Sequence, residues 1–432
     1  MPVEAKFELR EEGEVDYFRN IAADPESADF EFESKNIGDV ESAMTRLMRT
    51  PTLIAGAVMP DACPTGSESI PVGGVVVARN AIHPGFHSAD ICCSVMATDL
   101  GSGLDGETVL DVAEKVTHFG KGGRKRSAGV FKFLCPLLES RIRENPLFSK
   151  GDLKKAQLHL GTQGDGNHFL FVGRSQSSGG VVVATHHGSR AFGASLYRTG
   201  MEIANRWRLD LCPELHFENS WIPYDSEEGK LYWDALQIVR EWTKLNHQVI
   251  HRMVAEKLNL DLFDSQSRSE AAFWNEHNFV FRKSDQTEGD LFYHAKGATP
   301  LENEFLPDAG DSRRLIPLNM GQPILVVQGK ANETNLGFAP HGAGRNRTRT
   351  QHKQLQYLTG KSDIELFAEE TQGLDVRFYS NEIDISELPS AYKNAKQVQS
   401  QMKEFGLGQV VDRVTPYGCI MAGGVANRCR GK

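Results

Sequence analysis

Apolar residues cluster along the chain in two distinct rhythms. Val72 to Ala78 follows Pro71 and carries glycines, Val181-Val182-Val183-Ala184 runs into Thr185-His186-His187, and Ile324-Leu325-Val326-Val327 forms a third run. Short continuous apolar stretches bounded by turn residues read as buried strands. Between Leu236 and Leu258 the spacing changes, with apolar residues at Leu236, Val239, Trp242, Leu245, Val249, Ile250, Met253 and Val254. That period predicts one long, mostly buried helix. Tyr392 to Met402 is expected to form another. Strands and helices intermix without a regular β-α-β alternation, and no repeat, low-complexity tract or linker divides the sequence. The pattern predicts a mixed α/β (α+β) fold in a single domain over residues 1–432, with its site built from strand ends and loops.

Composition adds a frame. The chain has 432 residues, 40% hydrophobic and 24% charged, as in ordinary globular proteins. No apolar run approaches the roughly 18 residues a membrane helix needs. Met1-Pro2-Val3-Glu4-Ala5-Lys6 does not resemble a signal peptide, so a cytoplasmic location with no membrane partner is expected. Seven cysteines, an odd count, suit free thiols in a reducing compartment better than a disulfide framework. A net charge of −9 argues against a generic nucleic-acid coat but leaves room for a local basic groove. Two segments could form one: Lys121-Gly122-Gly123-Arg124-Lys125-Arg126, which could equally be a solvated loop, and Arg345-Asn346-Arg347-Thr348-Arg349 with His352 and Lys353.

The candidate chemistry lies in glycine-rich segments. These are Asp90-Ile91-Cys92-Cys93, Gly166-Asn167-His168-Phe169, His186-His187-Gly188-Ser189-Arg190, Glu276-His277-Asn278 and His341-Gly342-Ala343-Gly344-Arg345. Asp90 and Cys93 can face one centre from a turn, and His168, His186 and His277 could complete the set. Such donors suit zinc, manganese or iron. A thiolate can bridge two metals, and metal pairs roughly 3.5–4 Å apart recur in phosphoryl chemistry. His118, His159, His216 and His251 read as surface or satisfied core residues, and Cys63, Cys135, Cys212, Cys419 and Cys429 as small core or surface residues. Backbone amides after His341 could hold an anion, and Arg345 offers a planar fork for phosphate. His341 could attack phosphorus, act as a general acid or ligate metal. Lys296, in His294-Ala295-Lys296-Gly297-Ala298-Thr299, is a further candidate phosphate contact, although a solvated lysine is the commoner fate.

Taken in order, these segments resemble the RtcB family of RNA ligases. The likeness runs from about Met59 to Tyr392. It begins with Met59-Pro60-Asp61, Val72-Gly73 and Asp90-Ile91-x-Cys93, which resemble the family's first metal block. It continues through Leu160-Gly161-Thr162-Gln163-Gly164-x-Gly166-Asn167-His168-Phe169, the most specific match, and His186-x-Gly188-Ser189-Arg190. His277-Asn278, Lys296-Gly297-Ala298-Thr299, His341-Gly342-Ala343-Gly344-Arg345 and Ala391-Tyr392-Lys393 complete the series. The resemblance implies an RtcB-like domain that uses two Mn²⁺ ions and GTP. It joins RNA 3′-phosphate or 2′,3′-cyclic phosphate ends to 5′-hydroxyl ends, in RNA repair or tRNA splicing, through guanylylated His341. By the same resemblance Asp90, Cys93 and His168 would hold one Mn²⁺, and Cys93, His186 and His277 the other. Asn167 would contact the guanylate phosphate. Gly342, Ala343, Gly344 and Arg345 would cradle the nucleotide, with Asn319 and Tyr392 in its pocket. An archease-like activator is implied as a partner.

The chain departs from the family pattern where the base would bind. Phe171 stands where a guanine-recognising glutamate is usual, and phenylalanine cannot accept N–H hydrogen bonds. The usual Pro-Gly-Ser-Met reads Pro317-Leu318-Asn319-Met320, and Met421 occupies the place of a C-terminal lysine. Cys63 replaces a histidine after Met59-Pro60-Asp61, and an Asn-Arg pair reads Asn246-His247. A changed nucleotide preference is the expected consequence. Two other readings compete: a metal-dependent RNA phosphodiesterase or cyclic phosphatase without nucleotide activation, and a non-catalytic RNA-binding scaffold.

Overall fold

A computed structural model describes residues 6–125, 129–261, 272–285, 287, 289–309 and 311–424. Arg126 of the first basic segment and Cys429 lie outside them. Helices and sheets mix as an α+β fold. The larger sheet has the strand order Arg314–Ile316, Ile324–Gln328, Gln409–Met421, Phe169–Ser175, Val181–His187, Ser94–Asp99, Ala272–Glu276, and Asp375–Phe378 pairs in parallel with Gln409–Met421. A five-stranded sheet has the order Phe18–Arg19, Leu53–Cys63, Val72–Arg79, Gly289–Lys296, Asn278–Asp285.

Both faces of the larger sheet are covered, which is why its strands read as unbroken apolar runs. Leu170, Val172, Val181 and Val183 pack on one side with Ile250 and Val254 of the long helix. Phe171, Val182 and Ala184 pack on the other with Ile324, Cys419 and Met421. The long helix is Glu227–Lys257, starting before Leu236 because Ser226 caps it by accepting from the Gly229 amide. Its first turn, with Glu227 and Glu228, complements the helix dipole but adds nothing to the apolar period.

The C-terminal helix differs from the expected span. It is Ala395–Glu404, with Asn394 as its cap, while Pro389–Ala391 forms a separate 3₁₀ turn and Tyr392 is extended. The Tyr392 hydroxyl donates to Glu387 at 2.6 Å and the Lys393 amide to the Gly344 carbonyl at 3.0 Å, so both residues are engaged outside the helix.

Register brings the chemical residues to one edge. Ser94 pairs with His187 and with Glu276, and Phe169 pairs with His186. The starts of two strands therefore meet the ends of two others. His277 sits between Glu276 of the larger sheet and Asn278 of the smaller one, where the chain crosses from one to the other.

Candidate active site

The turn at Asp90–Cys93 closes through the Cys93 amide, which donates to the Asp90 carbonyl at 3.1 Å. Cys92 takes a left-handed conformation, φ 59°, so that Asp90 and Cys93 can face the same space. Gly188 passes close by: a Cβ there would lie 2.0 Å from the Asp90 carboxylate, so only glycine fits.

Two donor clusters share Cys93. Asp90, Cys93 and His168 form one, and Cys93, His186 and His277 form the other; within each cluster the donor atoms lie within 4.8 Å of one another. Cys93 Sγ is 3.2 Å from His186 Nε2 and 3.7 Å from His168 Nε2. His168 Nε2 lies 3.1 Å from Asp90 Oδ2, and the Nε2 atoms of His186 and His277 are 3.3 Å apart. His186 Nδ1 donates to the Asn167 carbonyl at 3.1 Å, which leaves a lone pair on the Nε2 that faces Cys93 and His277.

Electrostatics favour the same state. Burial lowers the His186 pKa to about 3 and pushes that of His277 well down, so both rings are neutral. Burial works against ionisation of Asp90, but the His168 imidazole outweighs it and holds the carboxyl at about 2. Burial and the Asp90 charge raise the Cys93 thiol well above its usual range. A thiolate at that position needs a cation. Converging imidazole, carboxylate and sulfur donors fit a divalent metal pair.

His341 follows the short strand Phe338–Pro340 and stands next to His277, with ring centroids 4.9 Å apart. Its Nδ1 lies 2.6 Å from Oδ2 of fully buried Asp61. The same oxygen accepts from the His341 and Gly342 amides at 3.0 and 3.3 Å. An acceptor that already holds two N–H groups takes the Nδ1 proton as a third, which leaves the Nε2 lone pair free. Gly344 seals this arrangement: at φ 71°, a Cβ would sit 2.0 Å from the Asp61 carbonyl.

Asp61, grouped by sequence with the first metal block, thus stands behind His341 and outside both donor clusters. Of the amides after His341 expected to cradle an anion, that of Gly342 is likewise committed to it. Arg345 also differs from its expected phosphate role. Its guanidinium donates to Glu387 at 2.9 Å and to the Ser386 carbonyl at 2.6 Å, and stacks over Tyr392. Glu387, with a side chain only 1% exposed, also binds Arg349 at 2.8 Å. A buried carboxylate requires such partners. Nothing in the sequence singled out Glu387.

Asp90, Cys93, Asn167, His186, His277 and His341 line one cavity of about 330 Å³, and so do Asn319, Gly342, Ala343, Gly344, Arg345 and Tyr392. Lys296 lines it too, with Nζ donating to Thr65 Oγ1 at 2.9 Å and the Ile70 carbonyl at 3.1 Å. Burial lowers its pKa to about 8. Of the departing residues, Cys63, Phe171, Leu318, Asn319 and Met421 line this cavity as well, and Phe171 and Met421 form an apolar wall with Cys419, Phe169, Met320 and Ile324. Phe171 pairs with Cys419 across the sheet, and Phe169 with Met421.

Sequence reasoning missed the scaffold behind the ligands. The long helix turns Asn246, His247 and His251 into the buried layer. Asn246 Oδ1 accepts from the Gly161 and Thr162 amides at 2.6 and 3.2 Å, and its Nδ2 donates to the Thr162 carbonyl at 2.9 Å. His247 spans Thr185 and Ser94, at 2.6 and 3.0 Å, and stacks on His187. His251 bridges Thr98 and Thr185. These contacts hold the loop leading to His168 and the strands that carry Cys93 and His186. A polar stripe inside an apolar helix period was the available signal.

Comparison with known proteins follows the same lines. Residues 136–422 match the family model described as tRNA-splicing ligase RtcB. Among curated relatives, the tRNA-splicing ligase RtcB of Thermococcus kodakarensis is 30% identical over 290 residues, covering 60% of this chain and 58% of that protein. That of Aeropyrum pernix is 29% identical, with 60% and 58% covered. That of Archaeoglobus fulgidus is 26% identical over 432 residues, covering 84% of this chain and 87% of its own. The match thus spans little more than half the length of the first two relatives.

Proposed function

The chain belongs to the RtcB family, and from that premise we propose that it is a nucleotide-dependent RNA ligase acting as one catalytic unit through a covalent His341 intermediate. The observation that carries the reading is the position of His341: a histidine with a free Nε2, oriented by Asp61, beside two donor clusters that share Cys93.

In this reading Nε2 attacks the α-phosphorus of GTP, forms an N–P bond and expels pyrophosphate. An oxygen of the RNA 3′-phosphate then takes the GMP and frees His341. The RNA 5′-hydroxyl attacks the activated 3′-phosphorus, and GMP leaves. A 2′,3′-cyclic phosphate is first opened by water to a 3′-phosphate. Asp61 holds Nδ1–H and stabilises the positive charge that develops on the ring. Lys296 offers its ammonium to phosphate, and Asn167 lies at the phosphate end. Asp90, Cys93 and His168 would hold one Mn²⁺, and Cys93, His186 and His277 the other. The two cations would neutralise the triphosphate and align its leaving group. The substrate is RNA with broken ends, and an archease-like activator is taken from the family resemblance alone.

The apolar wall at Phe171 and Met421 supports two refinements. It offers stacking but no hydrogen-bond acceptor for guanine, so base preference is relaxed or changed. It also sustains the phosphodiesterase alternative, in which no nucleotide is used. The deciding experiment incubates the protein with Mn²⁺ and each α-labelled nucleoside triphosphate, with the His341→Ala variant alongside. Label that appears on denatured wild-type protein and vanishes in the variant supports the ligase. Loss of a cyclic phosphate without labelling or end joining refutes it in favour of the phosphodiesterase.

A further inference from the structure

A second cavity, of about 430 Å³, lies away from the metal-donor clusters. It is lined by the helices Pro136–Glu144 and Lys150–His159 and by the segment before them. Arg124, Lys125, Arg143, Lys150 and Lys154 face it, and no Asp or Glu among the described residues does. That lining has one sign in a chain whose net charge is −9.

The lysines are available. Lys125, Lys150 and Lys154 are exposed, and none of them forms an ion pair with a described residue. Nearby carboxylates are already engaged: Glu139 with Arg143, and Asp152 with Lys155 and the Ser149 cap. Lys150 and Lys154 stand about one turn apart on the same side of their helix. Phe131, 44% exposed, adds an aromatic face to the same lining.

This cavity is tied to the catalytic loops. Arg124 donates from Nε to the Gly161 carbonyl at 2.9 Å and from its amide to the Leu158 carbonyl at 2.7 Å. The Gly120 amide donates to the Gly164 carbonyl at 2.7 Å. Arg190 joins Thr162 Oγ1 to the Gly120 carbonyl, at 3.1 and 2.6 Å. The basic segment is thereby fixed to the loop that runs into Asn167 and His168.

We propose that this cavity docks the phosphate backbone of a single-stranded RNA segment whose broken end lies at His341. The proposal rests on the RNA-ligase reading above. Lysine ammoniums hold phosphates as point charges, without the geometric demands of base readout. Bases of an unpaired strand can stack on an exposed aromatic ring such as Phe131, which duplex RNA does not permit.

The test uses the full chain and a fluorescent single-stranded RNA bearing a 3′-phosphate, with anisotropy read from 0.05 to 0.2 M salt. The variant combines Lys125→Gln, Lys150→Gln and Lys154→Gln. A control combines Lys330→Gln, Lys396→Gln and Lys403→Gln, exposed lysines elsewhere. Each single-strand phosphate contact contributes about 0.7 to the slope of log affinity against log salt. Three lost contacts make the slope shallower by about 2 and weaken binding about 100-fold near 0.1 M salt. Labelling of His341, and the thermal unfolding midpoint, stay at wild-type values. Wild-type affinity and slope in the variant would overturn the proposal and leave the RNA reading standing, and so would an equal loss in the control. A wild-type protein that binds no RNA at any salt would refute the RNA reading itself, and the proposal with it.

Discussion

Replacing Asp61 with Asn isolates what its charge contributes to His341. The oxygen that meets His341 Nδ1 also accepts two backbone N–H groups, so an asparagine must place its carbonyl oxygen there and not its amide nitrogen. The Nδ1–H tautomer and the free Nε2 are therefore retained. What is lost is a charge-assisted hydrogen bond to a ring that, in the proposed reaction, becomes cationic as the N–P bond forms. Such bonds contribute about 1.5–3 kcal/mol, against about 0.5–1.5 kcal/mol for neutral ones. The difference, about 1–1.5 kcal/mol, slows nucleotidyl transfer about 5–13-fold. Rapid-quench labelling with a saturating α-labelled triphosphate measures that rate directly, and the unfolding midpoint of the variant stays near wild type. Asp61→Ala, which strips three donors of their acceptor, lowers that midpoint as well. Wild-type labelling by Asp61→Asn would show that the carboxylate charge plays no part in the chemical step.

Other consequences can be checked independently. Cys93→Ala removes the donor common to both clusters; on the proposed two-manganese reading, bound manganese measured by elemental analysis falls from two per chain to one or none, and retention of two would exclude a shared sulfur ligand. With His186 near 3, His277 well below its usual range and Asp90 near 2, the Cys93 thiol is the one member of these four that carries a removable proton at neutral pH. Metal affinity therefore rises with pH by about one proton per site pair, and calorimetry in buffers of different ionisation enthalpy should register that release, whereas pH-independent binding would contradict it. Asn246→Ala leaves two amides and a carbonyl without their side-chain partner; at about 1–3 kcal/mol for each unsatisfied buried group, urea unfolding should show a loss of at least about 2 kcal/mol, and a loss under 1 kcal/mol would show that water replaces the side chain. Phe171→Glu places an acceptor in the apolar wall and should raise the preference for GTP over ATP in His341 labelling by about tenfold or more; an unchanged ratio would place the base elsewhere.

The strands at Val72, Val181 and Ile324 were legible as unbroken apolar runs, because both their faces are buried, and the long helix by the apolar period of its buried stripe. The residues of the two donor clusters stood out in the sequence because Asp, Cys and His in glycine-rich turns have few other reasons to be there, as Gly188 beside Asp90 illustrates. The sequence could not show which of these residues would meet. That depends on register: Ser94 opposite His187 and Glu276, and Phe169 opposite His186, carry the donors to one edge across separations of up to some two hundred positions. Nor could it show that Asp61 serves His341 and not a metal, that Glu387 takes the guanidinium of Arg345, or that Asn246 braces the loop before His168. Each of those partnerships is a long-range hydrogen bond formed because a buried polar group must find a partner, and local sequence does not name that partner.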